Sequence, residues 1–499
     1  MVFASLIFLF LFLPLNLLLY YSTKNATWRN LILIVFSLFF YGWGEPIWIT
    51  LMIFSATVDY VNGRVIEKYR GKIGAKIGLI SSLIINLGLL ATFKYSSFIV
   101  ENVNGIFGTS FSMPHFALPI GISFYTFQTI SYSVDVYRNE VKAQRSYLKF
   151  LMFVSLFHQL VAGPIVRYSH IASEIDNRKE KLADISMGIS RFCIGLFKKV
   201  VIANVAAELV RKYMGDNSAP LTMDALHDLS TGAAWFGLVM FALQIYFDFS
   251  GYSDMAIGIG KMFGIRLPVN FNSPYKATSI VDFWRRWHIT LSRFLKDYLY
   301  ISLGGNRKGP IRRQGNLLIT MLLGGLWHGA SWNFVVWGGM HGSYLVVNHL
   351  WGNLLSVMGL ASLKTNKIYL IIMWGITFIA VVLAWVMFRA ETFHGAMNLY
   401  ESMLGLVPGI EGGSRSALVL QDLPRALAMV LVGALVALFA PNVQEIIDRL
   451  DRNVIGRQTV LNKGMERLQV PVTAILMSFA LVLTLSSMNR VSEFLYFQF

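Results

Sequence analysis

Apolar stretches long enough to span a membrane recur along this chain, and short segments rich in lysine and arginine separate them. About 18 consecutive apolar residues can cross a bilayer as one helix. The pattern therefore predicts an all-α polytopic integral membrane protein with about 12 transmembrane helices of roughly 20 residues each. We expect these spans at residues 3–21, 30–61 (two short spans around a turn at 42–46), 77–99, 116–136, 186–212, 230–250, 316–328, 332–350, 368–388, 425–440 and 469–488.

Two further segments are predicted to enter the membrane region without crossing it as ordinary spans. Residues 148–165 are apolar but have basic residues at both flanks, and an Ala-Gly-Pro sequence ends them. Irregular backbone at membrane depth is tolerated only against protein or a wet cavity, so we predict a short or re-entrant segment there. Residues 278–300 are too polar to face lipid. They are predicted as a helix that lies at the cytoplasmic interface or dips into the bundle.

The basic residues between the spans predict the orientation of the chain, because cytoplasmic loops carry an excess of lysine and arginine. Lys24 and Arg29 follow the first apolar stretch, which we interpret as a retained span rather than a signal peptide. This puts the N-terminus outside. Residues 441–467 are predicted as a cytoplasmic loop, so the C-terminus also lies outside. We expect one transmembrane core at 1–467 and a final span with an extracytoplasmic tail at 468–499.

The composition agrees with a membrane protein and excludes other classes. Hydrophobic residues make up 55% of the 499 residues and charged residues only 14%, whereas a soluble domain has about a quarter charged residues. The net charge of +16 would suggest a nucleic-acid partner in a soluble protein, but here it lies in short loops. Cys193 is the only cysteine, which excludes an internal disulfide and a cysteine metal cluster. We expect no metal and no permanently bound cofactor.

Candidate chemistry concentrates in residues 282–341, because ionisable groups in membrane-type sequence are costly and mark functional sites. His328 ends a predicted span, and burial favours the neutral imidazole that a general base needs. Gly324, Gly325 and Gly329 are expected to allow close backbone approach and to leave space for a substrate. The alternative is a histidine that hydrogen-bonds across helices.

His288 is the second candidate, as an acid/base group or a substrate-positioning donor, on one helical face with Trp284. Its alternative role is that of an interfacial residue in an aromatic belt. Trp327, next to His328, and Trp284 are candidate substrate- or donor-binding residues. Two more histidines, His341 and His158, are interpreted as structural hydrogen-bonding residues.

Arginines beside His288 suggest an anionic donor. Arg285 and Arg286 are predicted to bind phosphate through their planar guanidinium groups, which suits a diphosphate donor such as coenzyme A. Ordinary topology-setting charge is the alternative. Asp248 and Asp254 lie in an apolar context and are predicted to help bind the donor, to orient a histidine, or to neutralise these arginines.

A set of motifs resembles the membrane-bound O-acyltransferase family, and most closely the membrane subunits that acetylate alginate, peptidoglycan and other cell-wall polysaccharides in bacteria. The matching residues are 1–3, 93–95, 118–125, 162–164, 246–258, 283–289, 297–301, 303–307, 321–329 and 388–391.

The resemblance implies a helical bundle with a central funnel or tunnel, in which His328 matches the catalytic histidine and His288 the second functional histidine. It implies acetyl transfer from a cytoplasmic thioester, which in this branch is acetyl-CoA, in the bacterial cytoplasmic membrane. The implied partners are an extracytoplasmic esterase-like acetyltransferase of the SGNH type and a polysaccharide acceptor. D-alanyl transfer from a carrier protein to teichoic acid is the enzymatic alternative. A polysaccharide transporter or channel is an alternative of another class.

The C-terminal sequence Phe-Leu-Tyr-Phe-Gln-Phe at 494–499 resembles the end of a small single-span partner in teichoic acid D-alanylation. In that partner a tyrosine is proposed to hold the acyl group in transit, and Tyr496 is the matching residue here. A phenol with a pKa near 10 is a reasonable leaving group. The alternative is an aromatic anchor at the membrane interface.

Overall fold

The structure, a computed structural model, describes residues 1–114, 116–214, 229–406, 423–455, 475 and 478–488. Within these ranges the chain forms helices, turns and loops and contains no β-strand. The predicted all-α class is therefore confirmed. Tyr496 and most of the predicted last span lie outside the described residues.

The chain divides into two compact units, of which the first comprises residues 1–196, 252–269 and 447–482. Its helices are α1 (Leu13–Tyr21), α2 (Ala26–Gly44), α3 (Ile49–Lys68), α4 (Ile73–Leu90), α5 (Ser96–Phe107), α6 (Ile122–Tyr137), α7 (Tyr147–Ser155), α8 (Phe157–Leu160), α9 (Tyr168–Asp176) and most of α10 (Leu182–Phe197). Short π-helical segments at Phe8–Phe12 and Ala91–Tyr95 precede α1 and join α4 to α5.

The second unit comprises residues 197–251, 270–446 and 483–499. Its helices are α11 (Asn204–Met214), α13 (Ile280–Arg286), α14 (Ile289–Phe294), α15 (Gly309–His328), α16 (Trp332–Val357), α17 (Lys367–Arg389), α18 (Phe393–Met403) and α19 (Leu423–Leu438). Two helices, α12 (Thr231–Met262) and α20 (Val443–Ile455), contribute residues to both units. All the histidines and tryptophans that form the candidate site belong to the second unit.

Four helical stretches in the described residues are long and apolar enough to cross a membrane: 26–44, 73–107, 231–262 and 367–389. A fifth span is possible if α19 and the first part of α20, which meet at a bend of 57°, count as one. The predicted total of about 12 spans is not confirmed. The predicted turn near residue 45 does separate α2 from α3, and the segment 148–165 does consist of short helices, α7 and α8.

Two predicted elements differ from the structure. The helix expected over residues 278–300 is broken into α13, α14 and a π-helical segment at Leu295–Tyr300. The loop expected at 441–467 contains the helix α20. Its charged residues alternate with Ile446, Ile447 and Leu450 at helical spacing, so a charge count alone made an amphipathic helix look like a loop.

The hairpin of α15 and α16 positions the site, and small residues bring its two helices together. A Cβ atom added at Gly325 would lie 2.1 Å from the Phe334 carbonyl oxygen, and one added at Gly338 would lie 2.2 Å from the Met321 carbonyl oxygen. Only glycine permits backbones to approach this closely. The contact aligns the end of α15, which carries His328, with the beginning of α16.

Candidate active site

His328 is the last residue of α15 and is buried, with 5% of its surface exposed. Its imidazole ring centroid lies 4.9 Å from that of Trp327, 5.1 Å from that of Trp337 and 5.4 Å from that of Phe388. Helices α15, α16 and α17 therefore each contribute an aromatic ring to its surroundings. The predicted burial of His328 in an apolar setting is confirmed.

The glycines near His328 serve packing and do not leave space for a substrate. The position of a Cβ at Gly329 lies 2.1 Å from the Phe334 ring, and that at Gly325 is blocked by the Phe334 backbone. A Cβ at Gly324 would meet Leu295 at 3.0 Å. The prediction of close backbone approach is right, whereas the prediction of open space beside these glycines is wrong.

His288 lies at the break between α13 and α14, with a backbone φ of 41°. The left-handed region costs a residue other than glycine of order 1–3 kcal/mol unless its surroundings impose it, and such residues cluster at functional sites. Here Asn270 imposes the geometry, since its carbonyl oxygen accepts the Ile289 backbone N–H at 2.9 Å. The sequence-based placement of His288 on one helical face with Trp284 is wrong, because the helix ends between them.

The side chain of Asn270 fixes the tautomer of His288. Asn270 Oδ1 accepts the Thr290 backbone N–H at 3.2 Å and the Thr290 hydroxyl at 2.9 Å, which identifies this atom as the amide oxygen. His288 Nδ1 lies 3.2 Å from the same oxygen and must donate to it. The proton of a neutral ring is therefore on Nδ1, and Nε2 carries a lone pair.

Nε2 of His288 is buried and has no hydrogen-bond partner in the described part of the chain. Burial lowers the pKa of His288 to about 3, so the ring is neutral at neutral pH. A neutral ring with Nδ1 already donating can only accept a hydrogen bond at Nε2. In this tautomer His288 can position a substrate as a hydrogen-bond acceptor, and not as the hydrogen-bond donor that the sequence analysis considered.

The two histidines lie close together within an aromatic enclosure. Their ring centroids are 6.5 Å apart, and Trp327 lies 6.2 Å from His288 as well as beside His328. Phe249 of α12 packs edge-on against His288 at 4.8 Å. This arrangement excludes water from two imidazoles, and proton transfer to or from a bound group is the chemistry that it can support.

Trp284 contacts His341 instead of His288. The ring centroids of Trp284 and Trp337 lie 5.2 Å and 4.8 Å from that of His341, so Trp337 stands between His341 and His328. Neither ring nitrogen of His341 has a hydrogen-bond partner in the described ranges, and the same is true of His158 in the first unit. The described residues therefore give neither histidine the hydrogen bond that the sequence analysis expected, and His341 packs among aromatic rings instead.

The two predicted donor-binding arginines differ in their surroundings. Arg286 is half-buried and pairs with Asp282 at 2.9 Å, one turn earlier on α13, and also donates to the Asn272 carbonyl oxygen. Arg285 is exposed, and the described residues give it no ion-pair or hydrogen-bond partner. Arg285 is therefore the more available of the two for an anionic ligand.

The two predicted aspartates neutralise other cations. Asp248 lies 2.6 Å from Lys199 within the second unit, and Asp254 lies 2.9 Å from Arg191 within the first unit; all four side chains are buried. The predicted pairing with Arg285 or Arg286 is wrong. The two carboxylates neutralise the buried charges of Lys199 and Arg191, and an unpaired buried charge would be very costly.

Several residues of this arrangement were not predicted from the sequence: Asn270, Thr290, Trp337 and, as a neighbour of His328, Phe388. Asn270 is 18 positions before His288 and gives no spacing signal that links the two. Phe388 belongs to a motif at 388–391 that carried the family resemblance but suggested no contact.

Comparisons with known proteins identify the family. The model of the membrane-bound O-acyltransferase family (MBOAT) matches residues 138–390, which include both histidines. The probable alginate O-acetylase AlgI of Pseudomonas putida is 42% identical over 413 residues, covering 81% of this chain and 80% of the relative. The peptidoglycan O-acetyltransferase of Helicobacter pylori is 38% identical over 441 residues, covering 81% and 80%. The teichoic acid D-alanyltransferase of Bacillus subtilis is 29% identical over 233 residues, covering 44% and 56%.

Proposed function

Because the chain belongs to the membrane-bound O-acyltransferase family, we propose that it transfers acetyl groups for the O-acetylation of a cell-envelope polysaccharide. The donor is a cytoplasmic thioester, acetyl-CoA, and the acceptor is reached from the other face of the membrane. The observation that carries the proposal is the buried pair of imidazoles, His328 and His288, with ring centroids 6.5 Å apart in an aromatic enclosure.

His328 is the general base of the proposed reaction. Its imidazole takes the proton of the acceptor hydroxyl while the hydroxyl oxygen attacks the thioester carbonyl carbon. The tetrahedral intermediate collapses, the C–S bond breaks, and the proton passes from the imidazolium to the leaving thiolate. The aromatic rings around His328 keep water from competing as the nucleophile.

His288 positions the substrate. Its Nε2 lone pair accepts a hydrogen bond from a donor group of the bound substrate, such as an amide N–H of the pantetheine arm or a second hydroxyl of the acceptor. Asn270 holds the ring in the tautomer that this role requires. Arg285 supplies charge for the donor phosphates, since it has no competing partner in the described chain.

The proposal includes a relay through Tyr496, which lies outside the described residues. The tyrosine oxygen is the first acyl acceptor, and an extracytoplasmic esterase-like partner then passes the acetyl group to the polymer.

D-alanyl transfer from a carrier protein remains the second candidate, because teichoic acid D-alanyltransferases are among the relatives. The acetyltransferase relatives match more of the chain at higher identity, which favours acetyl transfer over D-alanyl transfer. Family membership also favours an enzyme over a transporter.

The test is transfer of radiolabelled acetyl from acetyl-CoA by the purified protein, with His328→Ala as the decisive variant. We expect His328→Ala to abolish transfer while insertion and purification remain normal. His394→Ala is the matched control, because His394 is an exposed histidine on α18 of the same unit. Substantial activity in folded His328→Ala protein would rule out the base assignment, and labelling from D-alanyl carrier protein alone would favour the second candidate.

A further inference from the structure

A pocket of about 500 Å³ opens in the second unit, and neither His328 nor His288 lines it. Its walls come from the beginning of α13, the end of α16, the segment before α17 and the first turns of α17. Its polar lining includes Ser279, Asn348, His349, Asn353, Lys364 and Tyr369. The proposed acyl transfer assigns no role to any of them.

The polar side of the pocket suits a single anion. Lys364 provides the cation, and hydroxyl and amide groups surround it, whereas no aspartate or glutamate lines the pocket. Gly352 lies beside the lysine, since a Cβ there would be in ordinary van der Waals contact with Lys364 Nζ at 3.7 Å. A lysine ammonium among neutral hydrogen-bonding groups is a common arrangement for binding one phosphate.

The pocket lies at the end of the α15–α16 hairpin where α15 begins and α16 ends, and the residues that lead into and begin α15 include Arg307, Lys308, Arg312 and Arg313. The hairpin is antiparallel, since Gly338 of α16 packs against Met321 of α15 and Gly342 packs against Leu318. Continuing this register brings the end of α16, which carries His349, beside the start of α15, which carries Arg313. An excess of basic residues marks the cytoplasmic side, so the segment from Arg307 to Arg313 is predicted to be cytoplasmic, where anionic lipid headgroups concentrate.

The other side of the pocket is apolar and continues along a candidate span. Val281, Leu370 and Met373 line it. Beyond them, α17 exposes Ile368, Ile371, Ile372 and Ile376, each more than half exposed. At the rim, the Trp351 indole donates to the Tyr369 hydroxyl at 2.9 Å, which is the type of aromatic pair found at membrane interfaces.

We propose that this pocket binds the headgroup of an anionic glycerophospholipid that has one phosphodiester and a hydroxyl-bearing head, such as phosphatidylglycerol. Lys364 holds the phosphate, the amides and hydroxyls hold the head, and the acyl chains lie along the exposed isoleucines of α17. One lysine matches the single negative charge of such a lipid. The several phosphates of coenzyme A would require more cations than the pocket lining offers.

The experiment measures lipid retained by the full-length protein, purified in detergent and mixed with micelles of phosphatidylglycerol or phosphatidylcholine, by native mass spectrometry. We expect the wild type to retain phosphatidylglycerol in preference. Lys364→Gln and Gly352→Leu should each reduce that retention about tenfold, which corresponds to about 1.4 kcal/mol. Lys367→Gln is the matched control, because Lys367 is an exposed lysine three residues away that does not line the pocket. Unchanged melting temperatures in detergent alone confirm that the variants fold.

Three results would overturn the proposal. The first is equal retention of both lipids by the wild type. The second is wild-type retention of phosphatidylglycerol in both pocket variants. The third is displacement of the lipid by coenzyme A or by inorganic phosphate at comparable concentration, which would assign the pocket to the donor or to a free anion. The acetyl-transfer assay does not enter this test, so the lipid proposal and the proposed function can fail independently.

Discussion

At the scale of single residues, the most informative feature is the orientation of His288. Three donors converge on Asn270 Oδ1: the Thr290 N–H, the Thr290 hydroxyl and His288 Nδ1. The strained backbone at His288 places its ring where this can occur. The unfavourable backbone conformation thus accompanies a ring whose Nε2 has no partner in the described chain and whose centroid lies 6.5 Å from that of His328.

The variant Asn270→Asp tests this orientation through the pH profile of acetyl transfer. A carboxylate facing Nδ1 stabilises the imidazolium and raises the pKa of His288 well above its present value of about 3. Below the raised pKa, Nε2 of His288 carries a proton and cannot accept a hydrogen bond from the substrate. We expect Asn270→Asp to lose activity on the acidic side of the profile and to recover it as the pH rises. In the wild type His288 is already neutral above about pH 5, so its titration leaves the profile flat there.

Asn272→Asp is the control for that change, because it adds the same charge two residues away at an exposed position. Its profile should follow the wild type. A parallel loss of activity at every pH in Asn270→Asp would indicate a folding defect instead. A profile identical to the wild type would show that the Asn270–His288 contact has no part in turnover.

The arginines of α13 permit a second test at residue scale. Arg285 is exposed and without a partner in the described chain, whereas Arg286 is already paired with Asp282. We expect Arg285→Ala to raise the KM for acetyl-CoA several-fold with little change in kcat, and Arg286→Ala to have the smaller effect. Lys72→Ala, an exposed change in a basic loop of the first unit, should have none. Unchanged KM values in both arginine variants would leave them as topology-setting charges.

At the scale of elements, the site depends on how closely α15 and α16 pack. Gly325 of α15 and Gly338 of α16 lie on the facing surfaces and permit this close contact, whereas Gly315 of α15 faces open space. The sequence predicted both helices from their apolar pattern. It did not reveal which glycines pack against the neighbouring helix, since a glycine beside a candidate base could equally leave room for a substrate.

The pair Gly325→Ala and Gly315→Ala tests the contact. At Gly325 the added methyl group would lie 2.1 Å from the Phe334 carbonyl oxygen, so the helices must separate. We expect a lower melting temperature, with a cost of roughly 1–3 kcal/mol, and reduced activity. At Gly315 nothing lies within 4 Å, and alanine in a helix gains about 0.5–1 kcal/mol over glycine. If both variants melt alike, close packing at Gly325 is not important for stability.

The elements also show why the sequence predicted one half of the site better than the other. His328 ends a long apolar helix, and both its burial and its place beside Trp327 follow from that pattern. His288 lies at a helix break, and its partner Asn270 reaches it through a loop. Contacts of this kind are set by tertiary packing, which leaves no periodic signal. The aspartates were misassigned for the same reason, because Lys199 and Arg191 lie on distant segments.

At the scale of the whole molecule, transfer across a membrane raises a problem that the two histidines alone do not solve. In the proposed reaction the thioester is in the cytoplasm, whereas the polysaccharide acceptor is outside. Coenzyme A is too charged to cross an apolar bundle. A mobile acyl carrier that belongs to the protein would remove the need for the coenzyme to cross, and the C-terminal motif at 494–499 offers a tyrosine for this role.

The variant Tyr496→Phe tests this relay. In the proposed step the phenolic oxygen attacks the thioester carbonyl, His328 accepts the phenolic proton, and the thiolate leaves with that proton, which gives acetyl-tyrosine. A hydroxyl of the extracytoplasmic partner then attacks the ester and regenerates the phenol. We expect Tyr496→Phe to retain expression and acetyl-CoA binding but to lose acetylation of the external polymer, because the ring remains and the hydroxyl does not.

The control for the relay is Phe497→Leu, which removes a neighbouring aromatic ring and keeps the tyrosine hydroxyl. If the tail acts only as an interfacial anchor, Phe497→Leu should impair the protein at least as much as Tyr496→Phe, since anchoring depends on aromatic rings. If the hydroxyl carries the acetyl group, the order reverses, and mass spectrometry of the wild type supplied with acetyl-CoA but no partner should find acetyl on Tyr496. Polymer acetylation at the wild-type rate in cells that express Tyr496→Phe would exclude the relay and leave the His328–His288 pair to act on another acceptor.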